Sequence, residues 1–158
     1  MRLRVGMLRD PFHLVAFGFG SGLAPYAPGT AGSLLALLPA WALFGLPMPW
    51  RVAVVLAAIA IGVWVCGASA RRLGVHDHGG IVFDEIAGVL ATALAAPSAS
   101  LLWLTLVFVL FRIFDIWKPW PIRQLDHSVG GGTGIMIDDL MAAVYAAACL
   151  TVVRILLT

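Results

Sequence analysis

The stretch IVFDEIAGVLATALAAPSASLLWLTLVFVLFRIFDIW, residues Ile81 to Trp117, is apolar for longer than one membrane crossing requires and is broken once, at Ala96-Pro97-Ser98-Ala99-Ser100. A hydrocarbon core of roughly 30 Å takes about 20 helical residues at about 1.5 Å each. Proline has no N–H for the helical ladder and pushes the residue before it out of the helical region. The stretch therefore reads as a helical hairpin turning near Pro97. Its two ends, with Asp84 and Glu85 at one and Asp115 at the other, then return to the same side. A single crossing would separate those carboxylates by the thickness of a bilayer.

Working outward, an apolar run from Gly32 to Leu46 ends in Leu46-Pro47-Met48-Pro49-Trp50, a second covers Val52 to Ala70, and a last one covers Leu140 to Leu157. The expected fold is an all-α integral membrane helical bundle of about five spans or partial spans, the first short and partly re-entrant. Composition agrees: 61% of residues are hydrophobic and 11% charged, with a mean hydropathy of +0.99, against about 25% charged in a soluble domain. The 158 residues are read as a single domain with no room for a separate soluble catalytic module. A net charge of +2 gives no reason to expect nucleic acid as a partner. Cys66 and Cys149 lie in apolar runs, where cysteine packs as a small hydrophobe. Arg2, Arg4 and Arg9 precede no apolar stretch with a small-residue cleavage site, so no signal peptide is expected. With the hairpin in place, Arg2, Arg4, Arg9, Arg71, Arg72, Arg112, Lys118 and Arg123 fall on one side and Arg51 and Arg154 on the other. The positive-inside bias makes the first side cytoplasmic.

Five of the eight carboxylates sit in three clusters at the edges of apolar runs: Asp84 with Glu85, Asp115, and Asp138 with Asp139. Carboxylates are costly there unless something needs them, and hard oxygen ligands at a membrane surface fit a divalent cation. Four polar segments share the cytoplasmic face. Gly18 to Ser33 is a glycine, proline and hydroxyl loop in which Thr30 or Ser33 can cap the next helix and contact phosphate; a plain capping loop explains it equally well. Asp77 to Gly88 carries Asp84 and Glu85, which are about 100° apart on a helix and reach one ion only from its first turn or from different sides. The alternative is an acidic first turn favoured by the helix dipole.

Phe111 to Pro121 places Arg112, Asp115 and Lys118 at i, i+3 and i+6 along one helical face, and Lys118 is the only lysine. Cations beside a carboxylate suit a metal-bound phosphate, although an i, i+3 ladder with basic ends at the headgroups gives the same pattern. Phe111, Phe114, Trp117 and Trp120 read as an aromatic belt. Gly130 to Asp139 puts a flexible glycine stretch before a carboxylate pair that opens the last span, or merely an acidic first turn. His13, His76, His78 and His127 lack zinc spacing and read as interfacial loop residues.

The strings PYAPGTAGS (Pro25 to Ser33), FDEIAG (Phe83 to Gly88), FRIFDIWKPWP (Phe111 to Pro121) and GGTGIMIDD (Gly131 to Asp139) resemble the phosphatidylglycerophosphatase A family, over a range from about Phe17 to Ala147. The resemblance implies a Mg²⁺-dependent phosphatase of the bacterial inner membrane, multi-pass, acting on phosphatidylglycerophosphate within membrane lipid to give phosphatidylglycerol. The residue roles follow from chemistry. Asp84, Glu85, Asp138 and Asp139 would hold Mg²⁺, Arg112 and Lys118 would clamp the non-bridging phosphate oxygens, and Thr30 and Ser33 would add substrate contacts. Asp115 would act as general base or orient the nucleophile, with Asp84 and Asp139 also counted as catalytic. An oligomer is compatible with this reading.

Two other chemistries fit poorly. Cys66 and Arg72 have the C-x5-R spacing of cysteine phosphatases, but Cys66 sits in an apolar span where a thiolate is disfavoured. No D-x-D motif for an aspartyl nucleophile occurs. The rival from another class is a divalent-cation transporter or channel, which would need polar residues near the bilayer midplane. Val52 to Val65 and Leu140 to Val153 carry no charged or amide side chain.

Overall fold

The computed structural model describes residues 4–122 and 130–157. Arg2, Arg123 and His127 lie outside those residues. The described chain is helical: α1 Pro11–Ala16, α2 Pro28–Leu35, α3 Leu37–Leu43, α4 Met48–Leu73, α5 Phe83–Ala93, α6 Leu101–Trp117 and α7 Gly131–Leu157. Among the described residues there is no strand. The hairpin break falls where Pro97 predicts it, between Ala93 and Leu101.

α4 and α7 are long and apolar enough to cross a membrane, with hydropathies of 2.4 and 2.2. Only 39% and 22% of their most apolar windows are buried inside the protein. Trp50, Leu56, Ile61 and Trp64 on α4 and Val144, Val152 and Ile155 on α7 face outward. A long apolar helix with most of its surface outside is suited to lipid rather than to the core of a soluble protein. The other apolar runs differ from the expected crossings. The first is divided into α2 and α3, of 8 and 7 residues, and the hairpin arms are 11 and 17 residues long. Among the described residues, two helices meet the length requirement for a crossing.

α7 is the centre of the bundle and packs against α4, α5 and α6. It starts earlier than the apolar run from Leu140 suggests. The helix begins at Gly131, so the glycine stretch is helical and Asp138 and Asp139 lie well inside it rather than opening it. Glycine is a poor helix former, but here packing overrides propensity. A Cβ on Gly132 would collide with the Val63 carbonyl, and one on Gly67 would come within 2.9 Å of the Gly132 nitrogen. The two backbones can approach this closely only because neither carries a side chain there. α4 and α7 run antiparallel, with Gly67 meeting Gly132 and Gly62 meeting Met136, so that Arg71 stands near the start of α7. Around this pair Phe17, Val107, Phe111, Met136 and Leu150 are fully buried.

The N-terminal segment is fastened to the far half of α4. Asp10 caps α1 by accepting from the Phe12 N–H at 2.9 Å and pairs with Arg72. Arg72 lies 4.0 Å over the Phe12 ring, whose edge meets Trp64 at 5.1 Å. His13, expected in an interfacial loop, is instead a buried α1 residue whose Nδ1 is 2.8 Å from Ser69 Oγ. Its hydrogen bond to a buried hydroxyl satisfies a ring that the apolar sequence around it carries inward.

Gly132→Ala should lower the thermal unfolding midpoint in detergent, with a cost of about 1 to 3 kcal/mol for overpacking against a carbonyl that cannot rotate away. Gly79→Ala, whose added methyl would meet nothing within 4 Å, is the matched control and should unfold with wild type.

Candidate active site

α5 starts where the chain leaves the loop after α4. Its entrance is held by the Val82 N–H donating to the Ala16 carbonyl at 2.9 Å. Asp84 and Glu85 fall in its first turn, where unpaired helix N–H groups favour anions. The Glu85 N–H donates to Asp84 Oδ1 at 3.1 Å. α7 runs alongside and presents Asp139 to the same point. Asp84, Glu85 and Asp139 each offer a carboxylate oxygen, and the three oxygens lie within 4.8 Å of one another. Asp84 and Asp139 are buried, and the Glu85 side chain is 15% exposed. The neighbours in sequence thus meet one point from a first turn, with the third group arriving from the facing helix.

The cationic residues stand beside this trio on α6. Arg112 Nη1 pairs with Asp115 Oδ2 and lies 4.0 Å from Glu85 Oε1. Asp115 in turn stands near Glu85 and Asp139. Lys118 ends α6 in a left-handed conformation, φ 46°, and its Nζ donates to Asp138 Oδ2 at 2.5 Å. Asp138 and Asp139 are adjacent on a helix and so point about 100° apart. Of the four expected metal ligands, three converge, while Asp138 is engaged by Lys118.

Two buried polar atoms in this region, Glu85 Oε2 and Arg112 Nε, have no hydrogen-bond partner among the described residues. Buried carboxylate oxygens are costly when unpartnered, and three in close proximity repel one another as well. Such a set of hard oxygens is suited to a small divalent cation and, with the guanidinium beside it, to a phosphate.

The glycine, proline and hydroxyl loop behaves differently from its two sequence readings. α2 begins at Pro28, and Ala27 is its N-cap, left-handed at φ 46° with no side-chain cap. Thr30 and Ser33 are therefore inside the helix, not at its cap. Proline at the first helical position needs no N–H partner. Ser33 is fully buried and donates to the Gly29 carbonyl at 2.8 Å. Gly29 is the residue that reaches the site: a Cβ there would collide with Glu85 Oε1 and come within 3.2 Å of Arg112 Nη1. The string PYAPGTAGS held this glycine, but only the approach of α2 to α5 and α6 shows what it does.

Cys66 lies closer to the site than its apolar run alone suggests. It is fully buried in α4, near Glu85 and Asp139. The C-x5-R pattern itself does not form a phosphate loop, because Arg72 turns to Asp10 and Phe12. His78 stays in the loop before α5, its Nδ1 accepting from the Gly80 N–H at 3.1 Å.

An all-helical bundle, with two helices suited to a bilayer and a buried carboxylate centre flanked by cations, defines a membrane-associated enzyme. The phosphatidylglycerophosphatase A family model matches residues 14–154. Phosphatidylglycerophosphatase A of Escherichia coli (strain K12) is 50% identical over 145 residues, covering 90% of this chain and 83% of that protein. Phosphatidylglycerophosphatase A of Haemophilus influenzae is 45% identical over 141 residues, covering 88% and 86%. A Bacteroides thetaiotaomicron protein named "Putative phosphatidylinositol-3-phosphatase" is 40% identical over 149 residues, covering 89% and 92%. No solved structure matches the chain. The chain belongs to the phosphatidylglycerophosphatase A family and is a phosphatase. Nothing in these relatives supports the transporter alternative.

Asp139→Asn removes one of three crowded carboxylates while keeping its volume. In chelator it should unfold at or above the wild-type temperature, as expected when a repulsion kept for function is relieved. A midpoint well below wild type would show that Asp139 holds the fold instead.

Proposed function

We propose that this phosphatase removes the terminal phosphate of phosphatidylglycerophosphate, giving phosphatidylglycerol and inorganic phosphate, with Mg²⁺ held by Asp84, Glu85 and Asp139. The observation that carries the reading is the convergence of three carboxylate oxygens within 4.8 Å, from two helices, beside Arg112. The substrate follows from the two relatives named for that activity. Magnesium prefers oxygen ligands and keeps several waters, so three carboxylates fit it without a closed protein cage. When bound, the ion supplies charge neutralisation and polarises the phosphoryl oxygens.

The chain's own residues do the rest. Arg112, whose Nε is buried with no partner among the described residues, offers a fork of donors to the non-bridging oxygens. Lys118 adds a second cation, oriented by Asp138. Gly29 leaves room beside Glu85 and Arg112, and Thr30 follows it in the first turn of α2, where helix N–H groups favour an anion. Asp115, between Arg112 and Asp139, orients the attacking water and accepts its proton as the phosphorus–oxygen bond to glycerol breaks. The leaving oxygen is protonated from solvent.

The same reading places the protein in the bacterial inner membrane, with α4 and α7 crossing it and α2, α3 and the α5–α6 hairpin completing about five spans or partial spans. The site faces the cytoplasm, on the side of Arg71, Arg72 and Lys118. In a background without native cysteines, Cys introduced at His78 should be labelled from the cytoplasm, and Cys introduced at Pro49 or Ser98 from the opposite side. Cytoplasmic labelling at Ser98 would break the hairpin.

Purified protein should release phosphate from phosphatidylglycerophosphate with Mg²⁺ and lose that activity in EDTA, and Mg²⁺ should raise its unfolding temperature. Asp84→Asn, Glu85→Gln and Asp139→Asn should each cut kcat/KM on the order of 10² and abolish the Mg²⁺-dependent shift. Full turnover in chelator would sink the metal assignment. Faster release from phosphatidylinositol 3-phosphate than from phosphatidylglycerophosphate would replace the substrate.

A further inference from the structure

α6 has two faces of different character. Val107 and Phe111 are fully buried against the bundle. The opposite side, Phe108, Val109, Arg112, Ile113, Ile116 and Trp117, lines an open groove of about 660 Å³. These positions recur at i, i+1, i+4, i+5, i+8 and i+9, the spacing of one helical stripe. Val109, Ile113, Ile116 and Trp117 are 41%, 47%, 70% and 65% exposed, yet no described element covers them. The stripe contains one charged residue, Arg112, and its side chain turns inward to within 4.0 Å of Glu85 at the carboxylate centre. An apolar track thus runs without interruption into the guanidinium beside the carboxylate centre.

A ligand that matches both parts must carry an anionic head and an aliphatic chain on one molecule. A soluble phosphate ester would use Arg112 and leave the stripe empty; a neutral lipid would use the stripe and leave the guanidinium unmatched. We propose that this face of α6 seats an acyl chain of the lipid substrate, with its phosphate end at Arg112, so that the substrate reaches the site sideways from the bilayer. The inference rests on the lipid phosphatase reading given above. A second groove, of about 320 Å³, lies between α2, α3 and α5 and is lined by Phe19, Leu35, Ala36, Leu38, Pro39 and Ile86. It contains no charged residue, and so supplies an internal control.

The test compares long-chain phosphatidylglycerophosphate in mixed micelles with its deacylated, water-soluble headgroup ester, both with Mg²⁺. Val109→Trp and Ile113→Trp fill the stripe while keeping the helix apolar. Each should lower the ratio of kcat/KM for the long-chain over the deacylated substrate by about tenfold, mostly through KM, the effect of losing roughly two methylenes of contact. Leu38→Trp, in the uncharged groove, should keep the wild-type ratio. An unchanged ratio in Val109→Trp and Ile113→Trp, a parallel fall for both substrates, or an equal change in Leu38→Trp would overturn the assignment. If wild type releases no phosphate from either compound, the substrate reading falls and this inference with it; wild-type turnover with an unchanged ratio removes the inference alone.

Discussion

Three carboxylate oxygens held within 4.8 Å of one another inside an apolar bundle are the constraint that organises this protein. Both burial and proximity work against them, because a charged carboxylate loses hydration and like charges gain repulsion as the dielectric falls. A flexible scaffold would relieve the strain by moving the groups apart. This one does not, because each carboxylate is mounted on a rigid element that is fixed for other reasons. Asp139 follows α7, which is locked to α4 by backbone contact at Gly132 and Gly67. Asp84 and Glu85 follow α5, whose start is tied to α1 through Val82 and whose side is pressed on α6 where Gly88 leaves room for Phe111.

The same rigidity sorts side chains that are neighbours in sequence. Asp138 and Asp139 serve different partners because the helix turns them apart, and Arg112 and Lys118 are separated likewise along α6. Lys118 adopts a left-handed backbone conformation, disfavoured for a residue with a side chain, and does so at the point where α6 ends and its amine meets Asp138. A substitution in this region therefore changes the electrostatics of several groups at once, and additive reading of single variants is unsafe here.

The sequence was most informative where local chemistry decides structure. Pro97 placed the hairpin break, and the clustering of acids at the edges of apolar runs identified the groups that meet. It was least informative where tertiary contact overrides local preference. Gly130 to Gly134 reads as a flexible loop, yet most of it is helix, because the absence of side chains is what lets α7 touch α4. His13 reads as polar and interfacial, but its partner Ser69 lies on another helix, far along the chain. Gly29 and Cys66 were visible as letters, but their place against Glu85 and Asp84 depends on how α2 and α4 approach α5. Helix length was also hidden: apolarity alone does not say that a run is cut into pieces such as α2 and α3.

That cutting has a purpose in the geometry. α5, with 11 residues, is about 16 Å long and cannot cross a bilayer. Its start lies level with Asp139, which is itself about 12 Å along α7 from Gly131, so the carboxylates meet inside the bundle rather than beyond its end. Two full-length helices alone could present acids only from two directions. Short helices end within the protein, and each end brings groups that a continuous helix would bury in its ladder: the acidic first turn of α5, the uncapped N–H groups of α2 and the terminal lysine of α6. A site that must bring several anionic oxygens, a guanidinium and an ammonium to one level of an apolar bundle is therefore built from helix ends, and the two long helices serve to hold that level.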